Sequence, residues 1–207
     1  MRCLGKSIMK LLTVLGARPQ FIKASAISRK IQSLKGCQEI LAHTGQHYDW
    51  AMSDVFFQEL DIPKTKYNLG IGSATHGLQT GKMLIALEEV LIKERPDIVI
   101  VYGDTNSTLA GALAAAKLHI PIAHVEAGLR SWNRKMPEEI NRVLTDHTAD
   151  ILFAPTKLAV DNLVNEGIDP AKVFEVGDVM YDVALLFAEK AEQTSTILSR
   201  LNIQPKS

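Results

Sequence analysis

The decapeptide RPDIVIVYGD, residues 95–104, limits the folds open to this chain more than any other stretch. Pro96 stops whatever helix precedes it, and residues 98–102 form an unbroken apolar run, the pattern of a strand buried on both faces. Gly103 then makes a turn and presents Asp104 at the strand's mouth. A strand covered on both faces needs helices above and below the sheet, and the rest of the chain supplies them. Short apolar runs recur at KLLTVLG (10–16), QEILAH (38–43), IPIAHVE (120–126), ILFAPT (151–156) and KVFEVGD (172–178). Helical spacing follows most of them: Phe21, Ile22, Ala26, Ile27 and Ile31 after Pro19, a stretch with Met52, Val55, Phe56 and Leu60 inward, and a long helix over 75–94. An alanine-rich helix capped by Thr105 or Ser107 comes next, then one with Ile140, Val143 and Leu144 inward, and one over 156–166. Six strands alternating with helices, with a further short strand at 67–69, predict an α/β fold with a doubly wound parallel Rossmann-like sheet.

The 207 residues suffice for one large domain. Residues 1–8 read as a disordered extension, 9–177 as the Rossmann-like domain, and 178–200 as one more amphipathic helix running into a linker at LNIQPKS. Twenty-three basic and twenty-three acidic residues cancel, so no field is present to recruit nucleic acid or an anionic membrane. No apolar run is long enough for a bilayer, and MRCLGKSIM lacks a signal-peptide core. Two cysteines, Cys3 and Cys37, fit a reducing compartment, so the expected location is cytoplasmic. Glycines 70, 72 and 77 lack the strand-turn-helix context of a dinucleotide fingerprint, and His43 and His47 near a strand end do not make a metal set, so neither a cofactor nor a metal is expected.

Three acidic positions stand at element ends: Asp104, Glu126 and the pair Glu138–Glu139. In an open parallel sheet the carboxyl ends of the strands face one crevice, where such residues can converge. Asp104 could serve only as a helix cap and Glu138 only as a partner of the helix dipole. Glu126, at the end of an apolar strand, is expected to be partly desolvated and so raised toward a pKa useful for proton transfer. Arg18 and Lys23 fall at or just inside a helix start, where cations oppose the dipole and therefore suggest an anionic ligand; Arg130 and Arg142 could add charge for a phosphate or carboxylate. The residues alone point to an acid/base enzyme of the sugar or nucleotide type.

The segments GARPQFIK (16–23), HTGQH (43–47), GDTNSTLAGALAA (103–115), HVEAGLR (124–130) and PEEINR (137–142) resemble, in order, those of the non-hydrolysing UDP-N-acetylglucosamine 2-epimerases. The resemblance implies the N-terminal half of a glycosyltransferase-B-like fold, with the active site between two Rossmann domains and the second domain absent here. It implies interconversion of UDP-GlcNAc and UDP-ManNAc by elimination and re-addition of UDP, without metal or NAD, in a full-length homodimer. Matching positions make Asp104, Glu126 and Glu138 the acid/base candidates and Arg18, Lys23, Gln46, His47, His124, Arg130 and Arg142 the substrate-binding ones. The wording of GARPQF and NLGIG…THG looks closer to a branch acting on UDP-2,3-diacetamido uronic acids, and the loops at 48–49 and 72–76 differ from those of members activated by their own substrate. The alternatives are that uronate chemistry, or a non-catalytic module that needs a separate second half. Activity of the 207 residues alone is expected to be small.

Overall fold

The computed structural model describes residues 8–46, 60 and 62–203. The helix expected over 52–60 lies, apart from Leu60, outside the described residues, as does His47. Among the described residues, seven strands form one sheet: β1 (Met9–Leu15), β2 (Cys37–His43), β3 (Tyr67–Asn68), β4 (Ile98–Tyr102), β5 (Ile122–Val125), β6 (Ile151–Ala154) and β7 (Val173–Glu175). Their order is β3-β2-β1-β4-β5-β6-β7, and every pairing is parallel. The short strand at Tyr67–Asn68 therefore joins the other six as an edge strand, paired with Ala42 and His43. The order reverses between β1 and β4, which opens a crevice above their carboxyl ends.

The helices are α1 (Arg18–Ser33), α2 (His76–Glu94), α3 (Asn106–Lys117), α4 (Pro137–Thr148), α5 (Lys157–Asn165), α6 (Val179–Thr194) and a last turn α7 (Ile197–Arg200). The single helix expected over 178–200 thus breaks at Ser195. One core packs Leu12, Val14, Val99 and Val101 under α2, α3 and α5. The other packs Leu15, Leu41, Ile100 and Tyr102 under α1, with α6 lying on α1. Local chemistry sets the helix starts. Thr105 Oγ1 accepts from the Thr108 amide, Thr156 Oγ1 from Ala159, and Asp178 Oδ1 from Met180. α1 has Pro in its first turn and no capping hydroxyl; instead the Gln20 side chain reaches back to the Gly16 and Ala17 amides.

One helix buries a mixed stripe, and another departs from its expected face. On α1, Ile22, Ala26 and Ile27 are half-buried, and the buried stripe carries Gln20, Ser25 and Ser28 beside Phe21, Ala24 and Ile31. On α4, Ile140 and Leu144 are exposed while Glu139, Asn141, Thr145 and Asp146 are buried. The polar side of α4 is turned inward because it satisfies buried partners on β5 and α3, which apolar side chains could not do.

At the opposite end of the sheet, the buried Glu94 carboxylate accepts from the Tyr67 hydroxyl at 2.5 Å and pairs with Lys66 at 2.7 Å. Lys66 and the Tyr67 hydroxyl bring its pKa from 4.5 to about 2. A folded value below the unfolded one stabilises the fold above pH 4.5, and that contribution disappears as pH falls through about 2. In Glu94→Gln the acid-side decline of stability between those pH values should flatten, as read by denaturant unfolding at a series of pH values.

Candidate active site

The crevice is built where β1, β4, β5 and β6 end. The turn after β1 approaches α3 so closely that a Cβ on Gly16 would stand 1.9 Å from Ser107 Oγ. Gln20 stitches the switch point, donating to the Tyr102 carbonyl at 2.8 Å and to Thr108 Oγ1 at 2.9 Å. Gln46 joins the same corner, its Oε1 accepting from the amide and hydroxyl of Ser107. Arg18 opens α1 and is exposed.

Lys23, one turn further into α1, forms an ion pair with Glu126, and both side chains are largely buried. The apolar setting expected for Glu126 is thus shared with an ammonium group. A Cβ on Gly103 would come 3.1 Å from Glu126 Oε2 and 3.4 Å from Lys23 Nζ, so glycine here, at φ +62°, leaves room for the pair. Glu126 itself sits at φ +72°, a left-handed conformation uncommon for any residue but glycine. Its amide and that of Ala127 both donate to the Phe153 carbonyl, at 3.1 and 3.0 Å, which holds the bend in place.

Asp104, the residue after Gly103, pairs with Arg142, and Arg142 also pairs with Glu139. The Lys23–Glu126 pair thus lies against Gly103, and Asp104, the following residue, belongs to the Arg142–Asp104 pair. Of the two glutamates opening α4, Glu138 is exposed at the edge, whereas Glu139 is buried and accepts from the Ser131 and Trp132 amides. Burial alone would raise the Glu139 pKa, but the bonds from Ser131 and Trp132 and the charge of Arg142 outweigh it and hold the group below the usual range. Two cavities flank these pairs. One, of about 310 Å³, is mainly apolar and lined by Ile27, Val125, Glu126, Phe153 and Val179; the other, of about 340 Å³, is lined by Ser131, Trp132, Arg142, Thr156 and Leu158.

His124 and Arg130 lie beneath this edge rather than on it. Both ring nitrogens of His124 face oxygens at 2.7 Å, Asp146 Oδ1 and the Gly103 carbonyl. The Arg130 side chain is closed off from solvent, with four of its five N–H donors engaged by Glu166, Asp146 and the Leu129 carbonyl. Asp146 also accepts from the Gly128 amide at 3.1 Å. Burial would raise the Asp146 pKa, yet His124 and Arg130 hold it below the ordinary value; burial would lower that of Arg130, yet Glu166 and Asp146 raise it. Sequence reasoning did not single out Asp146, Gln20 or Asn141, because each is a polar residue on a helix whose buried face cannot be told from spacing alone.

A doubly wound α/β sheet whose switch-point crevice gathers carboxylates and cations defines the class of protein. Within it, the chain belongs to the UDP-N-acetylglucosamine 2-epimerase family, whose sequence pattern matches residues 29–206. It is 61% identical over 185 residues to a UDP-2,3-diacetamido-2,3-dideoxy-D-glucuronate 2-epimerase of Pseudomonas aeruginosa, covering 88% of this chain and 52% of that protein. A crystal structure of the Methanocaldococcus jannaschii UDP-GlcNAc 2-epimerase, in complex with UDP-GlcNAc and UDP, superposes with a TM-score of 0.90 at 54% identity, over 94% of this chain and 53% of that one. A lipopolysaccharide outer core galactosyltransferase, 16% identical with a TM-score of 0.57 over 82% of this chain and 46% of its own, shares the fold alone. The chain spans about half the length of the curated relatives it matches.

Replacing Asp146 with asparagine leaves Arg130 buried against one partner fewer. Asp146→Asn should cost about 3–5 kcal/mol of stability in chemical denaturation, far more than an exposed exchange such as Asp161→Asn.

Proposed function

We propose that the complete protein is a UDP-sugar 2-epimerase and that this chain supplies the wall of the crevice on which the proton moves. The observation that carries the reading is the pair of ion pairs joined through Gly103–Asp104, in a chain of this family. A carboxylate at this edge takes the proton from carbon 2 of the sugar. The carbon 1–oxygen bond breaks with its electron pair leaving on UDP, and a carbon 1–carbon 2 double bond forms. A proton is then returned to carbon 2 from the other face while a UDP oxygen re-attacks carbon 1. Asp104, Glu126 and Glu138 are the acid and base groups, and Arg18, Lys23 and Arg142 stabilise the departing diphosphate. Gln46 approaches from the β2 side and His47 is a further substrate-binding group in this reading, while His124 and Arg130 support the edge from below.

A second reading concerns the sugar. The 61% identity to the diacetamido-glucuronate enzyme favours a uronic acid carrying two acetamido groups over UDP-GlcNAc. Residues 178–207 lead, in this reading, from the Rossmann-like domain to a second lobe that closes the crevice. A crevice with one wall neither excludes water nor fixes the nucleotide, so residues 1–207 alone turn over little. No helix among the described residues is long and apolar enough to cross a membrane. We place the protein in the cytoplasm, where Cys37, a free cysteine, stays reduced.

The test is incubation of the two-lobed protein with each UDP-sugar in deuterated water. Reversible epimerisation with deuterium at carbon 2 is expected, and Asp104→Asn, Glu126→Gln and Glu138→Gln should each slow it by about 10²–10⁴-fold. Release of UDP with free sugar, and no label in recovered substrate, would overturn the assignment.

The homodimer rests on the outer face of the α2–α3–α4 layer. Leu78, Ile85 and Ile92, spaced by seven along α2, are exposed, as are Ile140 and Leu144 of α4. A second copy related by a twofold axis covers such a self-complementary apolar face. Light scattering should give a dimer mass that falls to the monomer in Ile85→Lys; a monomeric parent protein refutes the interface.

A further inference from the structure

Between α2, α3 and α4 runs a hydrogen-bonded chain of side-chain amides, anchored at each end on a backbone carbonyl. Gln79 Nε2 donates to the Gly72 carbonyl at 3.1 Å. Asn106 Nδ2 meets Gln79 Oε1 at 2.8 Å and His76 Nδ1 at 3.1 Å. Asn141 Nδ2 meets Asn106 Oδ1 at 3.1 Å and the Asp104 carbonyl at 2.9 Å. Gln79, Asn106 and Asn141 are all buried.

The two carbonyls determine the sense of every bond between them. A carbonyl only accepts, so Asn141 must turn its amino group to Asp104, and the same group then donates to Asn106 Oδ1. Gln79 must likewise turn its amino group to Gly72 and its oxygen to Asn106. Both amino hydrogens of Asn106 are thereby committed, one to Gln79 and one to His76. His76 Nδ1 has to be the acceptor, and the neutral ring carries its proton on Nε2.

We propose that Asn106, acting through Asn141, is a positioning residue for Asp104, and that the same amide locks His76 in the Nε2–H tautomer. Asn106 ties the loop before α2 to the loop after β4. It fixes the Asp104 carbonyl, and with it the direction from which the carboxylate meets Arg142. The importance of Asp104 rests on the epimerase reading, but the bond polarity does not, so the two can fail separately.

The test needs neither ligand nor turnover. In ¹⁵N-histidine-labelled protein at about pH 8, above the ordinary imidazole range, long-range ¹H–¹⁵N correlation reports which ring nitrogen carries the proton. His76 should show Nε2–H. Asn106→Asp keeps the shape and the acceptor for Asn141 but loses both donors, so it should shift the His76 proton toward Nδ1 and move the Asp104 and Thr105 amide resonances. Gln79→Glu, which keeps the acceptor facing Asn106, should leave the His76 tautomer unchanged. A proton on Nδ1 in the parent protein overturns the proposal, as does a folded Asn106→Asp variant with the His76 and Asp104 signals unmoved. Should Asn106→Asp fail to fold, the tautomer of the parent protein and of Gln79→Glu still decides.

Discussion

One buried negative charge, on Asp146, holds the crevice edge in shape. A lone carboxylate in such a place would be strongly unfavourable, and it persists because His124, Arg130 and the Gly128 amide converge on it. Each of those partners governs something nearer the surface. His124 reaches the Gly103 carbonyl, Gly128 follows the Glu126 bend, and Arg130 begins the loop that ends on Glu139. The outward groups are positioned because an inward charge demands company. That is also why α4 carries its polar side toward the sheet.

The exposed side of the edge is organised around Gly103 and Asp104. Gly103 lies against Lys23 of α1 and Glu126 of the turn after β5, while Asp104 meets Arg142 from α4. Two consecutive residues thus gather groups from three other elements. Small displacements of the β4–α3 turn would be felt at both ion pairs together. A parallel sheet makes this economical, because every strand delivers its following residue to the same side.

Much of the fold was legible in the sequence, and the reason is physical. A strand buried on both faces has to be continuously apolar, so 98–102 and its relatives announce themselves, and the residues closing them, Asp104 and Glu126, stand out by contrast. Less visible was anything whose environment comes from elsewhere in the chain. A two-residue strand such as Tyr67–Asn68 is too short to show the alternation that marks a strand. Ile140 and Leu144 have the spacing of an inward stripe, yet they face out, because amphipathicity says that a helix has two sides and not which one the core receives. The sequence around Glu126 shows an apolar strand and not its neighbour Lys23, which is 103 positions away. Arg130, expected at the ligand, has a side chain spent on Asp146 and Glu166.

The left-handed backbone at Glu126 bears on how such a chain changes over generations. An L-residue in that region gives up about 1–3 kcal/mol that a glycine would not, and the bond from its amide to Phe153 holds the bend regardless of side chain. Selection for robustness alone would therefore drift this position toward glycine and would erase the carboxylate that faces Lys23. A side chain placed here against that drift is one that the fold alone does not ask for.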